Sequence, residues 1–168
     1  LALSKFDFKS VGGKYSVSIT KTLTFPKNTS EIKQMPKSDH GFRSVPIPDT
    51  TAAFLKEYIS TLPGTYLFTC RDGSNMTHSA YVKMWASIVK KINYAAGGTD
   101  TFPVVSGLTA HIFRHNYCTN LCYQVPAISI KKIAQLMGDT EKMVLDVYNH
   151  IMEEKEDAAA VVNDVLAI

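Results

Sequence analysis

The hydrophobic pattern of this chain changes period once, and that change limits the folds open to it. From 14 to 25 the run KYSVSITKTLTF alternates and is rich in β-branched and aromatic residues, the pattern of a strand with one covered face. FRSVPIP at 42–48 fits as its partner, across a polar connection that holds MPKSDHG. Beyond Pro48 the apolar residues recur at helical spacing instead. PDTTAAFLKEYISTL (48–62) opens with residues suited to a helix start and then places Phe54, Leu55, Tyr58, Ile59 and Leu62 along one side. TYLFTC reads as a short extended run and RDGSN as a turn. From Thr77 to Ala96 a long helix is predicted, with Tyr81, Met84, Trp85, Ile88, Val89 and Ile92 on one face and a stop at Gly97 and Gly98. A third helix follows from about Thr109 to Tyr123, ended by Val125 and Pro126. SIKKIAQLMG and TEKMVLDVYNHI read as two short helices broken at Gly138, and DAAAVVNDVLAI as an apolar-faced terminal helix. The expected fold class is α+β: mostly α-helical, with a small antiparallel β-hairpin near the N-terminus.

A chain of 168 residues, 45% hydrophobic and 20% charged, can bury a core, so one globular domain over 1–168 is the expectation. The net charge of +3 permits contact with nucleic acid without requiring it. No apolar run approaches the ~18 residues of a membrane span, and the start, LALSKFDFKS, lacks a basic leader followed by a long apolar segment. These features predict a soluble, cytoplasmic protein with no membrane partner. Cys70, Cys118 and Cys122 form no CxxC pair and cannot all pair with one another, so free thiols are expected.

The densest chemistry lies in HIFRHNYCTNLC, residues 111–122. His111, His115, Cys118 and Cys122 fall on one helical stripe of zinc-ligand types. At ~1.5 Å rise per residue the ends of that stripe lie roughly 16 Å apart, so one helix cannot bring all four to a tetrahedral ion. Cys118 and Cys122 are better read as small core residues. His111 and Arg114, three apart, share a helix face and can converge on one anion. A guanidinium is always charged and matches phosphate bidentately, and an imidazole moves a proton near neutral pH. Taken alone, the pair reads equally as a solvated helix edge.

Three ordered motifs lift it out of that reading. HIFRH (111–115), IAQLMGD (133–139) and VYNHI (147–151) resemble the signature of the tyrosine recombinases, the phage and transposon integrase family. That signature runs H-x-x-R-H, then L-G-H, then a tyrosine nine residues after the last histidine; here the ninth residue after Asp139 is Tyr148. PKSDHGFRSVPIP is similar to the family's β-hairpin with its lysine, which falls on Lys37, and LALSKFDF to the segment that directly follows the family's first catalytic arginine. The resemblance covers essentially the whole chain. It implies an N-terminally truncated catalytic domain, with that arginine lying before Leu1 and the DNA-clamp domain absent.

The resemblance implies double-stranded DNA as the partner, a tetramer on DNA in the full-length protein, and strand exchange through a 3′-phosphotyrosine ester with no metal or cofactor. It assigns Tyr148 as nucleophile, His111 as its proton acceptor, Arg114 as phosphate clamp and Lys37 as general acid, with Lys37, Arg43, His111 and Arg114 facing DNA. The tyrosine hydroxyl is expected near a shallow basic pocket of Lys37, His111 and Arg114. Asp139 departs from the family, because it offers an acceptor where a histidine donor is usual; on this reading Asp139→His maintains or raises cleavage. Two alternatives stand beside it. One is a catalytically inactive DNA-binding relative. The other is a regulator in which ISIKKIAQLMGDTEKMVLDVYNH forms a helix-turn-helix.

Overall fold

A computed structural model describes residues 2–36, 39–155 and 162 of the chain. It divides into two compact units, Leu1–Leu108 and Thr109–Ile168.

The first unit is built on a three-stranded antiparallel sheet in which β2 (Lys14–Ile19) lies between β1 (Phe8–Val11) and β5 (Arg43–Ile47). Phe8 pairs with Val17 and Val11 with Lys14. The intervening Gly12 and Gly13 both have positive φ, 58° and 77°, the conformation that lets a two-residue hairpin follow the strand twist. On the other side Val17 faces Val45 and Ser16 faces Pro46; a proline is accommodated because β5 is an edge strand. The predicted pairing of 14–25 with 42–48 is thus present, but the first strand is interrupted at Thr20 and Lys21. Lys21 is drawn to Asp7, with Nζ at 2.8 Å from Oδ2. The chain then resumes as β3 (Thr22–Thr24), which pairs with β4 (Glu31–Lys33) in a separate two-stranded sheet. Within the segment LALSKFDF, Lys5–Asp7 form a 3-10 turn and Phe8 starts β1.

Two helices complete this unit. Helix α1 (Asp49–Thr61) buries Ala52 and leaves Phe54 exposed, stacked on Tyr58. Helix α2 (His78–Ala95) starts on the Thr77 hydroxyl, which accepts from the Ala80 N–H at 3.2 Å. The predicted stripe from Tyr81 to Ile92 is its half-buried face, and Trp85 Nε1 donates to the Leu108 carbonyl at 2.8 Å. At its end Asn93 is buried. Its side chain donates to the Thr99 carbonyl and accepts from the N–H groups of Val104 and Val105 at 2.9 and 3.0 Å. A Cβ at Gly98 would collide with that amide, so the turn requires glycine.

The second unit packs three helices on one another: α3 (Ala110–Cys122), α4 (Ile130–Met137) and α5 (Glu141–Lys155). Its core is Cys118 and Cys122 of α3, Ile133, Ala134 and Met137 of α4, and Val144 and Ile151 of α5. Small residues at 118, 122 and 134 let the helix backbones approach closely. The break at Gly138 is a glycine in the left-handed region, φ 63°, with Gly138 N–H donating to the Gln135 carbonyl and Asp139 N–H to the Ala134 carbonyl at 3.3 and 3.1 Å. This is the two-bond Schellman closure of a helix. The expected terminal helix at 157–168 lies outside the described residues.

Candidate active site

The Thr109 hydroxyl accepts from the Ile112 N–H and fixes the start of α3, which puts His111 in the first turn and Arg114 one turn later on the same face. His115 follows His111 by four, their rings 6.4 Å apart and edge-on. Across from this face stands the α4–α5 junction. Arg114 Nη2 donates to Asp139 Oδ2 at 3.0 Å. The other carboxylate oxygen, Oδ1, accepts from the Thr140 N–H at 3.0 Å, and the Thr140 hydroxyl in turn accepts from the Met143 N–H at the head of α5.

These side chains border a pocket contained wholly within the second unit. Its lining combines His111, Arg114, His115 and Asp139 with Cys118, Met137, Met143, Val144 and Val147. Cys118, Met137 and Val144 are buried while the polar members reach solvent, so the pocket has an apolar floor and a charged mouth. Such a floor excludes water beneath a guanidinium and strengthens its hold on an anion.

His111, Arg114 and Asp139 come together as described. Tyr148 is half-buried and packs against the core of the three helices, next in the chain to Val147, which lines the pocket. Arg43 sits on β5 in the first unit, where Nη1 donates to the Gly41 carbonyl at 3.0 Å. Lys37 lies outside the described residues.

Cys118 and Cys122 are core residues, as their positions suggested. Burial pushes the Cys122 thiol up to about 11, with Cys118 adding to the effect. Burial also raises Cys118, against the pull of its hydrogen bond with Cys122 and of Arg114. Metal binding and nucleophilic chemistry need the thiolate, so both sulfurs are inert at neutral pH. Among the described residues no group of three or more His, Cys, Asp or Glu side chains is arranged to hold a metal ion. No helix among them is long and apolar enough to cross a membrane. His115, which the sequence placed on one helical stripe with His111 but gave no role at the phosphate site, is a wall of the pocket.

Comparison with known proteins bears on these residues. The phage integrase family profile matches residues 16–155. A tyrosine recombinase XerC-like protein of Caldanaerobacter subterraneus subsp. tengcongensis is 26% identical over 151 residues, covering 80% of this chain and 35% of that protein. A tyrosine recombinase of Thermosipho africanus is 31% identical over 118 residues, 69% of this chain and 37% of its own length. The chain thus spans little more than a third of the curated relatives it matches. Among solved structures, the Tn1549 transposon integrase in complex with circular intermediate DNA matches with a TM-score of 0.65 at 21% identity, over 92% of this chain and 54% of that one. A second structure of that integrase, with transposon right end DNA, gives 0.68 at 22% identity, over 94% and 52%. These structures share the α+β fold. The ordered motifs on α3, the α4–α5 junction and α5 fall inside the matched span, and the chain belongs to the phage integrase family, as a tyrosine recombinase catalytic domain.

Proposed function

We propose that this chain performs site-specific DNA cleavage and religation through a 3′-phosphotyrosine intermediate, its two compact units serving together as one catalytic domain. The observation that carries the reading is the joint presentation of His111 and Arg114 at one pocket mouth, with Tyr148 nine positions beyond Asp139. Arg114 is the phosphate clamp: phosphoryl transfer depends chiefly on positioned cations that meet charge developing on the nonbridging oxygens. The Tyr148 oxygen attacks phosphorus, its proton passing to His111, and the P–O5′ bond breaks. Lys37 supplies a proton to the leaving 5′-oxygen, which would otherwise depart as a poor alkoxide. The ester keeps the bond energy, so a second 5′-hydroxyl reverses the step on a new strand without ATP. Arg43 contributes a phosphate contact, and recombination in the full-length protein proceeds in a tetramer on double-stranded DNA, as integration or a related exchange of mobile DNA.

The test is a nicked suicide duplex incubated with the full-length protein and with its Tyr148→Phe variant. A denaturant-resistant protein–DNA adduct is expected only with the wild type, and binding should weaken steeply with salt as phosphate contacts are screened. An adduct that persists in Tyr148→Phe overturns the assignment of the nucleophile. Salt-dependent binding with no adduct in either protein identifies a non-cleaving relative instead.

A further inference from the structure

We infer that Asp139 is a positioning residue: by accepting from Arg114 it holds the guanidinium in the orientation that receives the scissile phosphate. The inference rests on the recombinase reading above. Asp139 stands between two backbone closures: the Schellman closure at Gly138 ends α4 immediately before it, and the Thr140 cap begins α5 immediately after it. Its carboxylate is fixed at both oxygens, Oδ1 on the Thr140 N–H and Oδ2 on Arg114 Nη2, each at 3.0 Å.

The pairing takes one of the five donors of a guanidinium. Among the described residues Asp139 is the hydrogen-bond partner of the Arg114 side chain, so the remaining N–H groups stay available at the pocket mouth. A long arginine is otherwise free to rotate over several rotamers, and a donor plane misplaced by about 1 Å can cost on the order of 10²-fold in rate. Side chains that lock a catalytic group from behind are the usual remedy. The carboxylate has an opposite effect on ground-state attraction, because its negative charge offsets that of Arg114 toward a phosphodiester. Affinity and rate are therefore expected to move in opposite directions when it is removed. No purely structural role does this.

The experiment compares wild type, Asp139→Ala, Asp139→Asn and Asp139→His in the full-length protein. It measures affinity for an intact duplex by anisotropy, single-turnover adduct formation on the nicked duplex, and the melting midpoint. Asp139→Ala should bind at least as tightly as wild type, melt within a few degrees of it, and cleave about 10- to 100-fold more slowly. Asp139→Asn keeps an acceptor oxygen and should cleave about tenfold faster than the alanine variant. Asp139→His, although it restores the family side chain, should behave like alanine, since a cationic or donating ring gives Arg114 no carboxylate. Alanine or histidine variants that cleave as fast as wild type would overturn the inference, as would an asparagine variant no faster than alanine. Those results presuppose a wild type that forms the Tyr148 adduct. A wild type that forms none overturns the recombinase reading, and this inference with it.

Discussion

Asp7 with Lys21 in the first unit and Asp139 with Arg114 in the second are the same kind of contact put to different uses. The Asp7 and Lys21 side chains keep only 9% and 19% of their surface exposed. Asp7 accepts from the Ser4 N–H and hydroxyl at 2.8 and 2.7 Å and from Lys21 at both oxygens. Little of the carboxylate is left open to a ligand. The Asp139 and Arg114 side chains keep 37% and 35% exposed, meet through a single hydrogen bond, and border a pocket. A desolvated pair with several hydrogen bonds stabilises the fold. A half-exposed pair with unused donors contributes little to stability and retains the capacity to bind.

That contrast can be broken experimentally. The largest effect expected is for Arg114→Ala, which should lower adduct formation by about 10³-fold or more through loss of a phosphate donor, while changing stability by less than about 1 kcal/mol. Single-turnover cleavage and thermal melting on the same preparation measure both; a melting loss as large as that of a Lys21 variant would erase the distinction.

Lys21→Ala should do the reverse. It leaves the Asp7 carboxylate buried beside only Ser4, at a cost of about 2–3 kcal/mol, or a midpoint lowered by roughly 5–10 °C for a chain of this size. The salt dependence of DNA binding should not change. A shallower salt slope would show that Lys21 meets phosphate rather than Asp7.

The smallest effect concerns pH. Burial pushes the Asp7 carboxyl up, but the Lys21 ammonium and the Ser4 hydroxyl and N–H outweigh it and hold Asp7 below the usual range. Its contribution is therefore complete above the unfolded aspartate value of about 3.9 and is lost as pH falls through the lower folded value. Melting midpoints between about pH 5 and pH 2 should fall less steeply in Asp7→Asn than in wild type. Parallel curves would remove Asp7 from the acid response.

The order of elements was legible in the sequence because period is a local property. The α2 stripe, the cap at Thr77 and the stop at Gly97 all lie within a few residues of the features they control. The break at Lys21 was not, since its cause is an aspartate 14 residues away in the chain. Phe54 shows a second limit: it sits at helical spacing yet is exposed, because periodicity identifies a face and not what covers it. At the site, the shared helix face of His111 and Arg114 was legible from their spacing. The packing of Tyr148 against the three-helix core was not, and neither was the pairing of Arg114 with a carboxylate 25 residues away. The family pattern pointed to position 139 as a phosphate donor, whereas the aspartate found there directs its charge to the arginine.

Asn93 has a consequence for motion. Three backbone groups of the 99–105 segment end on this one side chain, so that segment borrows its order from the final turn of α2 in place of a ladder of its own. Fraying of that turn would release Thr99, Val104 and Val105 together. The Val104 and Val105 amides therefore belong to one opening unit with the helix end, whereas Leu108, at the entry to α3, is held by Trp85 from about two turns further back in the same helix.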